Sequence, residues 1–131
     1  MKLTLYESRF AICRLDPHDP VPDWADGALL SITRTPRELS ILCAESAVPE
    51  GVRAEVGFRA MEVLGPLDFS AVGILASLAK PLAEAGIPIL AVSTFDTDVV
   101  LVREGDLERA VGALGTAGWG SEKARSPEIG L

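Results

Sequence analysis

The apolar positions of this chain fall into short β-type runs and two longer stripes with helical spacing. Strands are predicted over 3–6 and 10–15, separated by the polar Glu7-Ser8-Arg9. Three prolines in six residues, Pro17, Pro20 and Pro22, then block both ladder and helix, so the segment up to Trp24 reads as a loop with at most one helical turn. Residues 28–33 and 39–43 read as a hairpin whose turn contains Thr35-Pro36-Arg37-Glu38. Residues 58–64 suggest another strand, but its inner face is ambiguous, because Phe58 and Ala60 alternate with Met61 and Val63.

The first helical stripe follows Gly65-Pro66-Leu67-Asp68-Phe69-Ser70. Ile74, Leu75, Leu78 and Leu82 recur at three- and four-residue steps, which predicts a helix to about Ala85 with Asp68 or Ser70 as its N-cap. Pro81 cannot donate to the carbonyl four residues back, so a kink or break is expected near 77–81, and Gly86 is the expected C′ residue. Residues 87–92 and 99–102 are continuous apolar runs, the pattern of strands covered on both faces. The second stripe, Leu107, Ala110, Val111 and Leu114, predicts a closing helix capped by Asp106. Beyond Trp119 the composition turns polar and a frayed tail over 120–131 is expected.

Sliding the sequence by sixty residues lays 29–33 on 89–93 and 38–42 on 98–102, with Glu38 over Asp98. The expected organisation is therefore a degenerate first half over 1–57 and a fuller unit over 58–119. The order strand-helix-strand-strand-helix in the latter is most of a ferredoxin-like βαββαβ fold, an α+β class.

Charge and composition narrow the functions. A net charge of -7 repels phosphate backbones and anionic lipid headgroups, so neither nucleic acid nor a membrane surface is an expected partner. No signal peptide or long apolar span is visible, and Cys13 and Cys43, the only cysteines, lie in apolar runs without metal-ligand spacing. A soluble cytoplasmic protein with two buried thiols is expected. His18 is the only histidine and sits in the proline-rich loop, away from any Ser, Cys or ligand pattern. Neither enzyme activity nor a cofactor is expected.

The segments 65–76, 85–89 and 93–102, in that order, resemble the ACT-domain family, in particular its small tandem branch related to the CASTOR arginine sensors. Glu38-Leu39-Ser40-Ile41 is similar to that branch's first-half signature. The resemblance implies two ferredoxin-like ACT halves in tandem, pairing of domains through sheets or edges, and an amino acid bound between the first strand-helix loop and a neighbouring domain. The positions that match are Asp68, Phe69, Ser70, Ala71 and Gly73 in the loop, with Thr94, Phe95 and Asp98 in the hairpin. Arginine sensors carry a further acid near the position of Ala71, which this chain lacks. The resemblance thus implies a regulatory, non-catalytic protein with a small-molecule ligand, an amino acid by expectation, and a homodimer that covers the open sheet face.

On the residues alone, Asp98 has two readings: pairing with a ligand ammonium, or capping its own turn by accepting from the amides of 95–97. Asp68 and Ser70 likewise cap a helix whose first amides suit a carboxylate. The rival to ligand binding is a protein-interaction or oligomerisation module that uses the same surfaces and holds no metabolite.

Overall fold

The computed structural model describes residues 1–65, 67–68 and 72–123. Its elements run β1 (Lys2–Leu5), β2 (Phe10–Leu15), β3 (Ser31–Arg34), β4 (Leu39–Ala44), β5 (Ala54–Val63), α1 (Ile74–Glu84), β6 (Leu90–Ser93), β7 (Asp98–Arg103), α2 (Leu107–Thr116) and β8 (Gly120–Lys123). The chain divides into two compact units, one of Ser8–Phe58 and one of Met1–Glu7 with the chain from Arg59 onward.

In the second unit the strand order is β6-β7-β5-β1-β8. The βαββαβ path of β5, α1, β6, β7, α2 and β8 is complete, and the N-terminal strand is added to it. β1 lies antiparallel to β5, Leu3 opposite Val63, and parallel to β8, Leu3 opposite Ser121. The frayed tail expected from 120 is thus corrected over Gly120–Lys123, where β1 supplies a ladder that the polar composition does not reveal. Residues 124–131 lie outside the described ones.

One core holds this unit together. Leu3, Met61, Val63, Val100 and Val102 of the strands pack with Leu78 and Leu82 of α1 and Ala110 and Leu114 of α2. Burial of a leucine side chain contributes about 1.5–3 kcal/mol, so the helical stripes anchor both helices. Val99 and Leu101 are as fully buried as Val100 and Val102, so the run 99–102 corresponds to a strand covered on both faces, whereas the run 87–92 does not: β6 begins only at Leu90, and Ala91 is exposed. The ambiguity of β5 has the same origin: Ala60, Met61 and Val63 are all buried, while Glu62 accepts the Tyr6 hydroxyl at 2.7 Å and Arg59 donates to the Tyr6 carbonyl at 2.9 Å.

Helix α1 begins later than the sequence predicts. Ile74 is its first residue and Gly73 its N-cap, at φ 81°, the left-handed conformation that glycine tolerates, with no side-chain cap; Asp68 is thus not the cap, and Ser70 lies outside the described residues. At the other end Gly86, at φ 72°, is the C′ residue, and the amides of Gly86 and Ile87 close back on Ala83 and Leu82. Pro81 lies inside a helix assigned without a break. The Ser77 carbonyl, which Pro81 cannot serve, instead accepts the indole N–H of Trp119 at 3.3 Å. Asp106 occupies the N-cap position of α2 but makes no side-chain cap bond; its carboxylate takes the Arg109 guanidinium at 3.1 Å.

In the first unit the order is β3-β4-β2-β5, with β2 antiparallel to β4 and to the first residues of β5. β3 starts at Ser31, three residues later than predicted, and β5 starts at Ala54, four residues earlier. Cys13, Leu39, Ile41 and Cys43 form the buried centre, with Leu15, Trp24 and Val48 packed against it. Among the described residues no α-helix lies between β2 and β3, and the proline-rich segment occupies that place.

Candidate functional site

In the second unit the β6–β7 hairpin and the start of α1 border an open cleft of about 360 Å³. Its hairpin wall is residues 93–98, and its other wall is Leu67, Asp68 and the sequence Gly73-Ile74-Leu75-Ala76.

The hairpin is held by its own hydroxyls. Ser93 stands opposite Asp98 in the ladder, and its hydroxyl donates to the Asp98 carboxylate at 2.6 Å. The Thr94 amide donates to the Thr97 carbonyl at 2.8 Å, and the Thr97 amide returns to the Thr94 hydroxyl at 3.1 Å. The Thr97 hydroxyl donates to the Val63 carbonyl at 2.7 Å, which ties the turn to the end of β5. From the loop, the Leu67 amide donates to the Asp96 carbonyl at 2.7 Å. Gly65 makes that approach feasible: a Cβ there would stand 3.0 Å from the Leu67 nitrogen and 3.1 Å from the Asp96 oxygen.

The opposite wall offers polarity of the other sign. The first helical bond of α1 runs from the Ser77 amide to the Gly73 carbonyl at 2.9 Å. The amides of Ile74, Leu75 and Ala76 therefore have no intrahelical acceptor, and the positive end of the helix lies on residues that line the cleft. A carboxylate, Asp98, and a helix start thus border one cavity. Such a pair can hold a small zwitterion by its two ends.

Five of the residues singled out in the sequence, Asp68, Gly73, Thr94, Phe95 and Asp98, line this cleft together. Phe69, Ser70 and Ala71 lie outside the described residues. Asp68 is exposed, and Phe95 is 82% exposed at the hairpin tip. The turn-capping reading of Asp98 is corrected for the Thr97 amide, which the Thr94 hydroxyl takes. Sequence reasoning missed Ser93 and Thr97 as anchors, although Thr94-x-x-Thr97 is a recognisable hydroxyl turn.

The internal repeat is real in the turn and displaced by one residue. In the first hairpin the Thr35 amide donates to the Glu38 carbonyl at 2.9 Å, and the Glu38 amide donates to the Thr35 hydroxyl at 3.2 Å. Thr35 therefore corresponds to Thr94, an offset of 59 residues (94 − 35 = 59), and Leu39 corresponds to Asp98. The match of Glu38 with Asp98 is corrected: similar apolar runs align at either offset, and only the ladder fixes the register. Arg34 takes the place of Ser93, and its guanidinium donates to the Pro17 carbonyl, so in the first half the hairpin bonds directly to the loop that stands where α1 would begin.

Cys13 and Cys43 are free and buried. Burial, and for Cys43 the neighbouring thiol, pushes both upward, Cys43 to about 12, so neither is a thiolate at neutral pH. Among the described residues no group of three or more His, Cys, Asp or Glu side chains is placed to hold a metal ion, and no helix is long and apolar enough to cross a membrane.

The family model of the ACT domain matches residues 53–116, and a separate N-terminal-domain model matches residues 8–51. No curated protein matches the chain. Among solved structures, a protein from Agobacterium tumefaciens is 40% identical, with a TM-score of 0.89 and coverage of 95% of this chain and 93% of that one. A Vibrio cholerae protein of unknown function, described as a possible transport protein, is 21% identical with a TM-score of 0.73 over 88% of each chain. The regulatory subunit of aspartate kinase from Thermus thermophilus shares the fold at 14% identity, with a TM-score of 0.61 over 88% of this chain and 96% of that one. The chain belongs to the same family as the Agobacterium tumefaciens protein, and its second half is a ferredoxin-like ACT domain.

Proposed function

We propose that this protein is a non-catalytic regulatory module whose cleft binds an amino acid. The observation that carries the reading is the pairing of opposite polarities across one cavity, with the helix start at Ile74–Ala76 on one wall and the Asp98 carboxylate on the other. The ligand's carboxylate takes the free amides of α1 and its ammonium pairs with Asp98, which Ser93 holds in place. The shared fold of an aspartate kinase regulatory subunit supports a regulatory role. Thermal-shift measurements with each of the twenty proteinogenic amino acids test it. A ligand at 100 times its dissociation constant adds about 2.7 kcal/mol of stability, and a flat response to all twenty would remove the amino-acid reading.

A second reading is an interaction module in which a protein partner, a second copy included, closes the same surface. It is favoured by Phe95 and Val72, which are 82% and 93% exposed beside the cleft. Sedimentation of the protein with and without the amino acids separates the two.

A further inference from the structure

The geometry points to Trp119 as the positioning residue for the start of α1, acting through the one helical carbonyl that Pro81 leaves without a donor. In an unbroken helix the Ser77 carbonyl would accept from the amide of residue 81, and proline has none. A helical carbonyl left without its donor forfeits one bond of the helical ladder. Trp119 meets this need from outside the helix. Its indole N–H reaches the Ser77 carbonyl at 3.3 Å, and the residue is 8% exposed in the core that contains Leu78 and Leu82. The Trp119 backbone is fixed in turn, since its amide donates to the Leu114 carbonyl at 2.9 Å, and the next amide, of Gly120, donates to the Met1 carbonyl at 3.1 Å as β8 begins beside β1.

Ser77 is the hinge point of this arrangement. Its amide makes the first helical bond, to the Gly73 carbonyl, and its hydroxyl donates to the Ile74 carbonyl at 2.9 Å. One residue thus joins the cleft-lining turn to the indole. The inference rests on the proposed function only for what the helix start is used for; the placement itself is independent of any ligand.

Hydrogen exchange on the full chain tests it with two substitutions. Trp119→Phe keeps an aromatic ring and removes the N–H, and Pro81→Ala returns a helical N–H to the Ser77 carbonyl. In the natural background Trp119→Phe is expected to speed exchange of the amides of Ser77, Leu78, Ala79 and Lys80 by about three- to tenfold, the worth of one neutral hydrogen bond. In the Pro81→Ala background the same substitution is expected to change them by less than about twofold, because the helix then supplies its own donor. Equal acceleration in both backgrounds would mean that the ring packs and does not position, and would overturn the inference, as would no acceleration in either. A protein that binds no amino acid passes or fails this test all the same.

Discussion

Ser93 and Asp98 face each other across the last pair of the β6–β7 ladder, and the serine hydroxyl donates to the carboxylate at 2.6 Å. The bond fixes the direction of an acid that would otherwise rotate freely at the end of a strand. Ser93→Ala is expected to cost about 1 kcal/mol of stability. It should also reduce, without abolishing, the thermal shift given by an amino acid, since the charge stays and only its orientation is lost. Thermal denaturation with and without ligand reads both effects.

Thr94 and Thr35 perform the same task in the two hairpins, each accepting a backbone amide within its turn. Replacing either with Val leaves that amide without its partner and should cost about 1–2 kcal/mol in urea denaturation. The two variants should part company in binding. Thr94→Val loosens the cleft wall, whereas Thr35→Val lies in the first half and should leave the ligand-induced shift unchanged.

Gly65→Ala should weaken the junction between loop and hairpin. Its methyl would stand 3.0 Å from the Leu67 nitrogen and 3.1 Å from the Asp96 oxygen, the two atoms joined by a 2.7 Å hydrogen bond. Both are backbone atoms and cannot swing aside. A loss of about 1–3 kcal/mol is expected, with faster exchange of the Leu67 amide as its local signature.

The buried thiols predict an alkaline limit to stability. Cys43 is pushed up to about 12 by burial, and Cys13 moves in the same direction. A thiol held neutral in the folded state but ionised when unfolded gives stability that is complete below the unfolded value and falls as the pH rises toward the folded one. The loss is about 1.4 kcal/mol per pH unit per thiol. Denaturation at pH 8 and pH 10 should therefore show a steeper decline for the natural protein than for Cys43→Ala.

Much of the second half was legible because its signals are local. The stripe Ile74, Leu78, Leu82, the left-handed Gly86 and the continuous run 99–102 each reflect nearest-neighbour physics, and the helices and strands form there. Two errors share one cause, that pairing partners are distant. Gly120–Lys123 is polar and becomes a strand only because β1 lies beside it, and the repeat was misaligned by one residue because similar apolar runs fit at either offset until the ladder fixes the register. The N-cap expectation on Asp68 failed differently: the cap is a glycine in the left-handed region, where preference for a side-chain cap carries no weight. Five of the eight candidate residues meet at one cleft because the strand-helix loop and the hairpin tip lie at the same end of a βαββαβ unit.

Calorimetric titration of the natural protein and of Asp98→Asn, with whichever amino acid gives the largest thermal shift, tests the central claim most directly. Asparagine preserves the size of the side chain and removes its charge. Loss of a charge-assisted contact worth about 1.5–3 kcal/mol should weaken binding by roughly 10- to 150-fold, while unfolding of the free protein changes little. Equal affinity in the two proteins would contradict the account and remove Asp98 from the ligand site.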